Sequence, residues 1–128
     1  MSNPGLALQK ALFEKLSASL ATPVLDDVPA GTAYPYVTLD YEVTDNTTPI
    51  SGKKRENRLF YLSVWSDYPG QAEVKRINAE IADALDEVGL PLETGTAVSV
   101  RVLRTETNRE PDGKTYMGAV TLRIITQH

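Results

Sequence analysis

Leucine recurs at every fourth position near the start of the chain, and this spacing constrains the fold more than any other feature. The four leucines form one apolar stripe on a helix predicted over residues 4–20: Leu8, Leu12, Leu16 and Leu20. Asn3 is expected to cap this helix, and Pro4 suits its first position, where a missing N–H loses no helical partner. A helix with a single apolar stripe must lie on a core that other elements supply.

A second helix with one apolar side is predicted over residues 67–88. Asp67 is expected to cap it, and Gly89 is expected to end it in the left-handed conformation. Its stripe consists of apolar residues three or four positions apart: Ile77, Ile81, Leu85 and Val88. Both helices therefore need a layer with an apolar face to pack on.

Strands are predicted where apolar and polar residues alternate, over residues 35–41, 58–66, 97–105 and 116–126. In the third, Val98, Val100 and Val102 alternate with Ser99, Arg101 and Leu103. Residues 22–34 are predicted to be a connection over the surface, and residues 42–57 a long, flexible loop. Glu110-Pro111-Asp112-Gly113 predicts a turn that joins the last two strands into a hairpin.

The second strand carries large residues on both sides, which favours a central position in a sheet. Phe60, Leu62 and Val64 are expected to point one way, and Leu59, Tyr61, Ser63 and Trp65 the other. The element order α-β-β-α-β-β indicates an α+β fold. We expect a two-layer sandwich, with two helices on one face of a mainly antiparallel four-stranded sheet.

Length and composition restrict the class of protein. A chain of 128 residues is expected to form one domain over residues 1–128. It has no cysteine, and its only histidine is His128, where we expect the terminus to fray. The net charge of −4 argues against a general nucleic-acid binder, and no apolar run reaches the length of a membrane span. A soluble protein made inside the cell is expected.

No pattern of residues typical of catalysis, metal binding or cofactor binding is found, so we do not expect an enzyme. Asp26-Asp27 is a carboxylate pair among turn residues and is best interpreted as a solvated loop. The one basic cluster consists of Lys53, Lys54, Arg55 and Arg58. It could contact phosphate, but a solvated loop tip or a protein contact is favoured.

Trp65, the only tryptophan, has three interpretations. It could be a residue of the core or of a sheet face, an anchor at a subunit interface, or a side chain that stacks on a substrate. The last interpretation is the weakest because no polar catalytic partner accompanies it. Core and interface remain open, with core favoured.

Four segments in a fixed order resemble a known family: "VPAGTAYPYVTL" (residues 28–39), "LSVWS" (62–66), "IADALDE" (81–87) and "REPDGKTYMGAVTLRI" (109–124). Together they are similar to the tail-completion proteins, also called tail terminators or tail-to-head joining proteins, of long-tailed phages, prophages and gene-transfer agents. The resemblance spans nearly the whole chain. Pro35-Tyr36, Trp65, Asp112-Gly113, Tyr116 and Gly118 fit its pattern as fold markers.

The resemblance implies a structural virion protein without enzymatic activity, cofactor or metal. It implies a ring, typically of six copies, at the head-proximal end of the tail tube, assembled in the host bacterial cytoplasm. The ring would stop tube polymerisation and bind both the tail tube protein and the head-connector or stopper protein. DNA would pass through the bore without specific binding, and no membrane is involved.

Candidate interface residues are chosen on physical grounds. Leu59, Tyr61 and Trp65 supply more apolar surface than one helical layer needs. Of the basic cluster, Lys53, Lys54 and Arg55 lie on the 42–57 loop, which can reach a partner, and Arg58 directly follows that loop. The alternative function is a small ferredoxin-like regulatory or RNA-binding module, which shares the two-layer architecture. Duplicated β-α-β halves would favour it, whereas this chain begins α-β-β.

Overall fold

The computed structural model describes residues 5–48, 52, 54–87, 89–92 and 95–128. Two helices and five strands follow one another along the chain: α1 (Gly5–Ser19), β1 (Val24–Leu25), β2 (Tyr36–Asn46), β3 (Arg55–Ser66), α2 (Ala72–Leu85), β4 (Thr96–Arg109) and β5 (Tyr116–Gln127). The α+β class and the two helices are as predicted. Asn3, Pro4 and Val88, to which the sequence assigned helix ends, lie outside the described residues.

The sheet has five strands in the order β1-β2-β3-β5-β4, so the prediction of four antiparallel strands is wrong in detail. The extra strand, β1, runs parallel to β2 and pairs Val24 with Val37. It lies within residues 22–34, which were predicted to be a surface connection, and Val24 is buried. Two residues are too few to show the alternation by which a strand is recognised in a sequence.

Alternation along β3 and β5 gives the sheet two different faces. Even-numbered residues of β5 from Tyr116 to Thr126 are buried, and odd-numbered residues are only partly so. The buried side packs against the leucine stripe of α1 and the isoleucines of α2 in one hydrophobic cluster. Both helices therefore cover the same face of the sheet, as predicted, and β3 is central.

The β2–β3 hairpin is longer than the sequence indicates, so the loop predicted over residues 42–57 is wrong at both ends. β2 continues to Asn46 and β3 begins at Arg55, with Asp45 paired to Asn57. Residues 42–46 are exposed, so backbone pairing holds this polar segment without an apolar stripe. The centre of the predicted flexible loop, residues 49–51 and 53, lies outside the described residues.

Both predicted ends of α2 are wrong. The N-cap is Gln71, without a side-chain hydrogen bond, because Gly70 at φ 95° turns the chain after Asp67. At the other end Glu87 takes the positive φ of 58° that was expected of Gly89. The Asp86 N–H still reaches Ala82 O at 2.8 Å, which closes the last turn.

Two bulges in β4 change which side chains face the helices. The register shifts between Ala97 and Ser99 and again between Val102 and Arg104. The extra residues, Val98 and Leu103, are consequently 46% and 49% exposed. The prediction that Val98 shares a face with Val100 and Val102 is therefore wrong.

The turn after β4 forms as predicted. The N–H of Gly113, at φ 72°, donates to Glu110 O at 3.0 Å. The Asp112 carboxylate accepts the backbone N–H groups of Lys114 and Thr115, each at 2.8 Å. These bonds lower the pKa of Asp112, with the Thr115 N–H as the largest cause.

Candidate functional site

The sheet face opposite the helices, hereafter the open face, is not covered by the described helices. Cross-strand pairing puts on it the odd-numbered residues of β3 and β5 and their partners on β2 and β4. Its aromatic and apolar members are Tyr36, Tyr41, Val43, Leu59, Tyr61, Trp65, Met117 and Ile125. An apolar surface of this kind is typical of a contact with another protein.

Two tyrosines form an exposed aromatic pair on the open face, at the edge formed by β2. Tyr41 and Tyr61 are paired across β2 and β3, and their rings stack with centroids 4.4 Å apart and planes 15° apart. Tyr41 nevertheless remains 59% exposed. The pair forms a stiff aromatic plate, and rigid tyrosines bind partners at a low entropy cost.

Trp65 lies at one end of the open face, between Tyr36 and Met117 in register. It is only partly buried and is not a member of the hydrophobic cluster between sheet and helices. Its indole Nε1 donates to Thr38 Oγ1 at 3.4 Å. Trp65 is therefore a sheet-face residue, which the first interpretation included, and only the core part of that interpretation is wrong. A role at a subunit interface stays a prediction.

Next to Trp65, Tyr36 stacks on Tyr34 with ring centroids 5.3 Å apart. The peptide bond between Tyr34 and Pro35 is cis. Burial raises the pKa of the Tyr36 phenol, and the neighbouring phenol of Tyr34 raises it further. Tyr36 therefore stays neutral at physiological pH and can serve as a hydrogen-bond donor.

A short polar chain fixes the orientation of the Trp65 indole. Thr38, which accepts the indole N–H, donates its hydroxyl to Asp40 Oδ1 at 2.8 Å. Ser63 donates to the other Asp40 oxygen. The register shift between Leu39 and Tyr41 brings Asp40 onto this face, and sequence alternation could not reveal that irregularity. Through Thr38, Asp40 and Ser63, this chain of hydrogen bonds positions the Trp65 indole.

The predicted basic cluster does not form one patch. Lys53 lies outside the described residues, and Lys54 pairs its backbone with His128, which orders the terminus that was expected to fray. Arg55 lies on the open face and donates to Gln127 Oε1 at 2.9 Å. Arg58 lies on the opposite face, because an odd and an even position of one strand point to opposite sides.

Arg58 is a buried structural cation and not a surface contact. Its side chain is 3% exposed and forms ion pairs with Glu42 at 3.0 Å and Glu56 at 2.8 Å. Its Nε donates to Thr126 Oγ1 at 3.1 Å. The network joins β2, β3 and β5, so the prediction that Arg58 faces a partner is wrong.

Besides Arg55, the open face carries cations from β4 and β5. Arg101 and Arg123 are directly opposite each other, and Leu59 is the next residue in the same row. Arg123 Nε is buried and has no hydrogen-bond partner within the described ranges. Two like charges side by side are unfavourable without a counter-ion, so this half of the face suits an acidic partner. Sequence alternation pointed at Arg101 as a polar position but could not pair it with Arg123.

The concave regions of the described surface differ in size. A cavity of about 100 Å³ between α1 and β2 is lined by Asp26, Asp40 and Tyr41 among others, and is smaller than the 300–1,000 Å³ of typical ligand pockets. Clefts of about 390 Å³ beside Trp65 and about 450 Å³ beside Asn78 lie within that range. Within the same residues, no group of three or more His, Cys, Asp or Glu side chains is placed to hold a metal ion. None of the helices described here is long and apolar enough to cross a bilayer.

Comparison with known proteins gives two positive findings. The sequence profile of the family described as "Tail completion protein gp17" matches residues 7–127. A chain in the solved structure described as "Virion of native gene transfer agent (GTA) particle" is 27% identical, with a TM-score of 0.90 and 100% of both chains covered. No curated protein sequence matches significantly.

Proposed function

The chain belongs to the tail completion protein gp17 family, and from this premise we propose that it forms a ring at the head-proximal end of a phage-type tail tube. The family makes it a structural protein of a phage-type tail. In the proposed role the ring stops polymerisation of the tail tube protein and then binds the head-connector or stopper protein. The observation that carries the proposal is the match over the full length of both chains to a component of a gene transfer agent virion.

The open face supports self-association and partner binding. A protein that acts alone rarely exposes an aromatic plate such as Tyr41 and Tyr61 beside a partly exposed tryptophan. Tryptophan and tyrosine are enriched among residues that dominate binding energies. We therefore assign Leu59, Tyr61 and Trp65 to a contact between copies of the chain or with the tail tube, and Lys54 and Arg55 to its rim.

The net charge is consistent with a bore through which DNA slides. The whole chain carries −4, and Arg58, one of the four predicted basic contacts, is neutralised by two glutamates. A lining that bound phosphates tightly would retard DNA passage. Measurable affinity of the assembled ring for duplex DNA at physiological salt would contradict this part of the proposal.

Deletion of the gene tests the role in tail completion. Particles made without the protein should carry tails of uncontrolled length and heads without joined tails, and supplying the gene in trans should restore uniform, joined tails. Electron microscopy of the particles measures both properties. Normal tail length and normal joining in the deletion strain would refute the proposal.

The Trp65→Ala variant tests the open face. We expect ring assembly on tails to fall at least about tenfold, the effect of losing one binding hot spot, while the monomer stays folded. Trp65→Phe is the matched control, because it keeps a large ring and loses only the indole N–H bond to Thr38. A folded Trp65→Ala protein that assembles normally would remove Trp65 from the interface.

The ferredoxin-like regulatory or RNA-binding alternative is not supported by a specific observation. The sheet begins with a parallel two-residue strand after α1, and its order β1-β2-β3-β5-β4 shows no duplicated β-α-β halves. Retention of RNA on the purified protein would reopen it.

A further inference from the structure

The sheet ends in two long strand edges whose free segments are offset from each other. On one side β1 pairs with β2 only at Val37 and Thr38, so residues 40–46 have no strand beyond them in the described structure. On the other side β4 is the last strand, and Asp86 and Glu87 bond only its Val102 N–H and Val100 C=O. Residues 103–109 of β4 thus form the second free segment.

We propose that the free edge of β2 in one copy pairs, antiparallel, with the free edge of β4 in a second copy. The proposal rests on the proposed ring and names the surface that closes it. β2 and β4 run in opposite directions within one sheet, because three antiparallel pairings separate them. A second copy in the same orientation therefore meets the first with the correct polarity, and the contact is head-to-tail, as a ring requires.

The outward hydrogen-bonding groups of the two edges can be identified. The Thr47 N–H donates to Arg55 O, towards the neighbouring strand of the same sheet. Because the direction alternates along a strand, the backbone N–H and C=O groups of Glu42, Thr44 and Asn46 point outward, away from the sheet edge. On β4, the Glu110 N–H donates inward to Thr115 O, so the groups of Thr105 and Thr107 point outward. Among the described side chains, one hydrogen bond reaches the backbone of residues 103–109, from Asn78 Nδ2 to Glu106 O. Glu106 is one of the residues whose backbone groups point inward, so this bond leaves the outward groups unoccupied.

Charge selects one register among those that satisfy these groups. Pairing Glu42 with Thr107 and Thr44 with Thr105 places Asp45 opposite Arg104, both on the open face and both exposed. Arg104 already forms an exposed ion pair with Glu106 at 3.2 Å, so Asp45 would join this pair from the second copy. A shift of two residues in one direction places Asp45 opposite Glu106, where like charges repel. A shift in the other direction places it opposite Val102, whose N–H is already held by Asp86.

The selected register also gives a stagger compatible with closure. Within one copy, Arg104 lies in the same cross-strand row as Tyr41. If Asp45 of the second copy lies opposite Arg104 of the first, the second copy is therefore displaced by four residues along β2. This is about 13 Å per copy at the rise of a strand. Each copy contributes four long strands, so a displacement of four residues per copy is one residue of stagger per strand. Eight-stranded barrels of shear eight have the same ratio of stagger to strand number, and their strands tilt by about 36°. Copies joined in this way can form one continuous closed sheet.

Disulfide formation inside assembled particles tests the pairing, since the chain has no cysteine of its own. Asp45 and Arg104 would be a pair without mutual backbone hydrogen bonds, where side chains are closest. Particles carrying Asp45→Cys/Arg104→Cys should give, on oxidation, a non-reducing ladder of multimers. Asp45→Cys/Val98→Cys is the matched control, because Val98 is similarly exposed but lies on the covered half of β4. A ladder from the control alone, or none from the test pair in intact particles, would overturn the pairing.

Charge reversal is the second test and does not depend on disulfides. Asp45→Arg and Arg104→Asp should each weaken self-association at least about tenfold, because each puts like charges opposite each other. The double variant should recover it, and so should an equal mixture of the two single variants, which can alternate around an even-numbered ring. Asp67→Arg, an exposed change of the same charge away from both edges, should have no effect.

The two tests separate this inference from the proposed function. If the wild-type chain never self-associates, even on tails, the ring itself fails. If the wild-type chain forms rings that both charge reversals leave unchanged, only the edge pairing fails. Single Asp45→Cys particles that cross-link as dimers would show an isologous contact and would also overturn the head-to-tail pairing.

Discussion

The two faces of β3 use the same backbone and differ in what completes them. Phe60, Leu62 and Val64 face the helices and are almost fully buried within the chain. Leu59, Tyr61 and Trp65 lie on the other face, and each remains partly exposed in the described structure. The first face is satisfied by folding, whereas in the proposed ring the second is completed by another molecule, so substitutions on the two faces should affect different measurements.

Truncating neighbouring residues of β3 should give the largest difference between the two faces. Leu62→Ala removes a side chain that is 1% exposed and should destabilise the fold by about 2–5 kcal/mol through lost burial and a cavity. Tyr61→Ala, one position away on the open face, should cost less in stability and more in assembly. Denaturant unfolding measures the first effect, and ring formation on tails the second. Equal losses of stability for the two variants would contradict the division between the faces.

The next test compares two arginines of β3 that belong to different faces. Arg58→Ala leaves Glu42 and Glu56 without their shared cation and should destabilise the fold by about 3 kcal/mol, the lower end for broken buried pairs, because Glu42 stays partly exposed. Arg55→Ala, on the open face, is the matched control and should change the unfolding free energy by under about 1 kcal/mol. Urea unfolding of both variants measures the two changes in unfolding free energy. A small loss of stability for Arg58→Ala would mean that Glu42 and Glu56 relax into solvent.

These two arginines also show where sequence reasoning succeeds and where it stops. Strand alternation placed Leu59, Tyr61 and Trp65 on one face, and the leucine spacing identified α1. Alternation cannot tell which face the helices leave open, so core and interface stayed open for Trp65, with core favoured, and Arg58 was assigned to a surface patch. A nearby pair of glutamates on β2 and β3 decides the fate of Arg58, and that contact depends on tertiary register.

Irregular backbone accounts for most of the other differences. The bulges at Val98 and Leu103 and the shift before Tyr41 break the period of two that predicts facing, and a side-chain pattern does not encode them. The polar ends of the β2–β3 hairpin resemble a loop because their stability comes from backbone pairing. The segments with a strong apolar period, β3 and β5, were predicted to within a few residues.

A smaller effect distinguishes the β4–β5 turn from the rest of the sheet. Backbone N–H groups of Thr115 and Lys114 hold the pKa of Asp112 below its ordinary value. A carboxyl whose folded pKa is depressed adds stability above its unfolded pKa of about 3.9, and that contribution is lost as the pH falls through the lower folded value. The melting temperature of Asp112→Asn should therefore lie below that of the wild type at pH 7, and the difference in melting temperature should narrow once the pH falls below about 4.

Asp67→Asn is the control, since the Asp67 carboxylate makes no hydrogen bond in the described structure. The melting temperature of this variant should stay near that of the wild type. A difference in melting temperature for Asp112→Asn that is unchanged at pH 2 would mean that the side chain holds the turn by its shape and not by its charge.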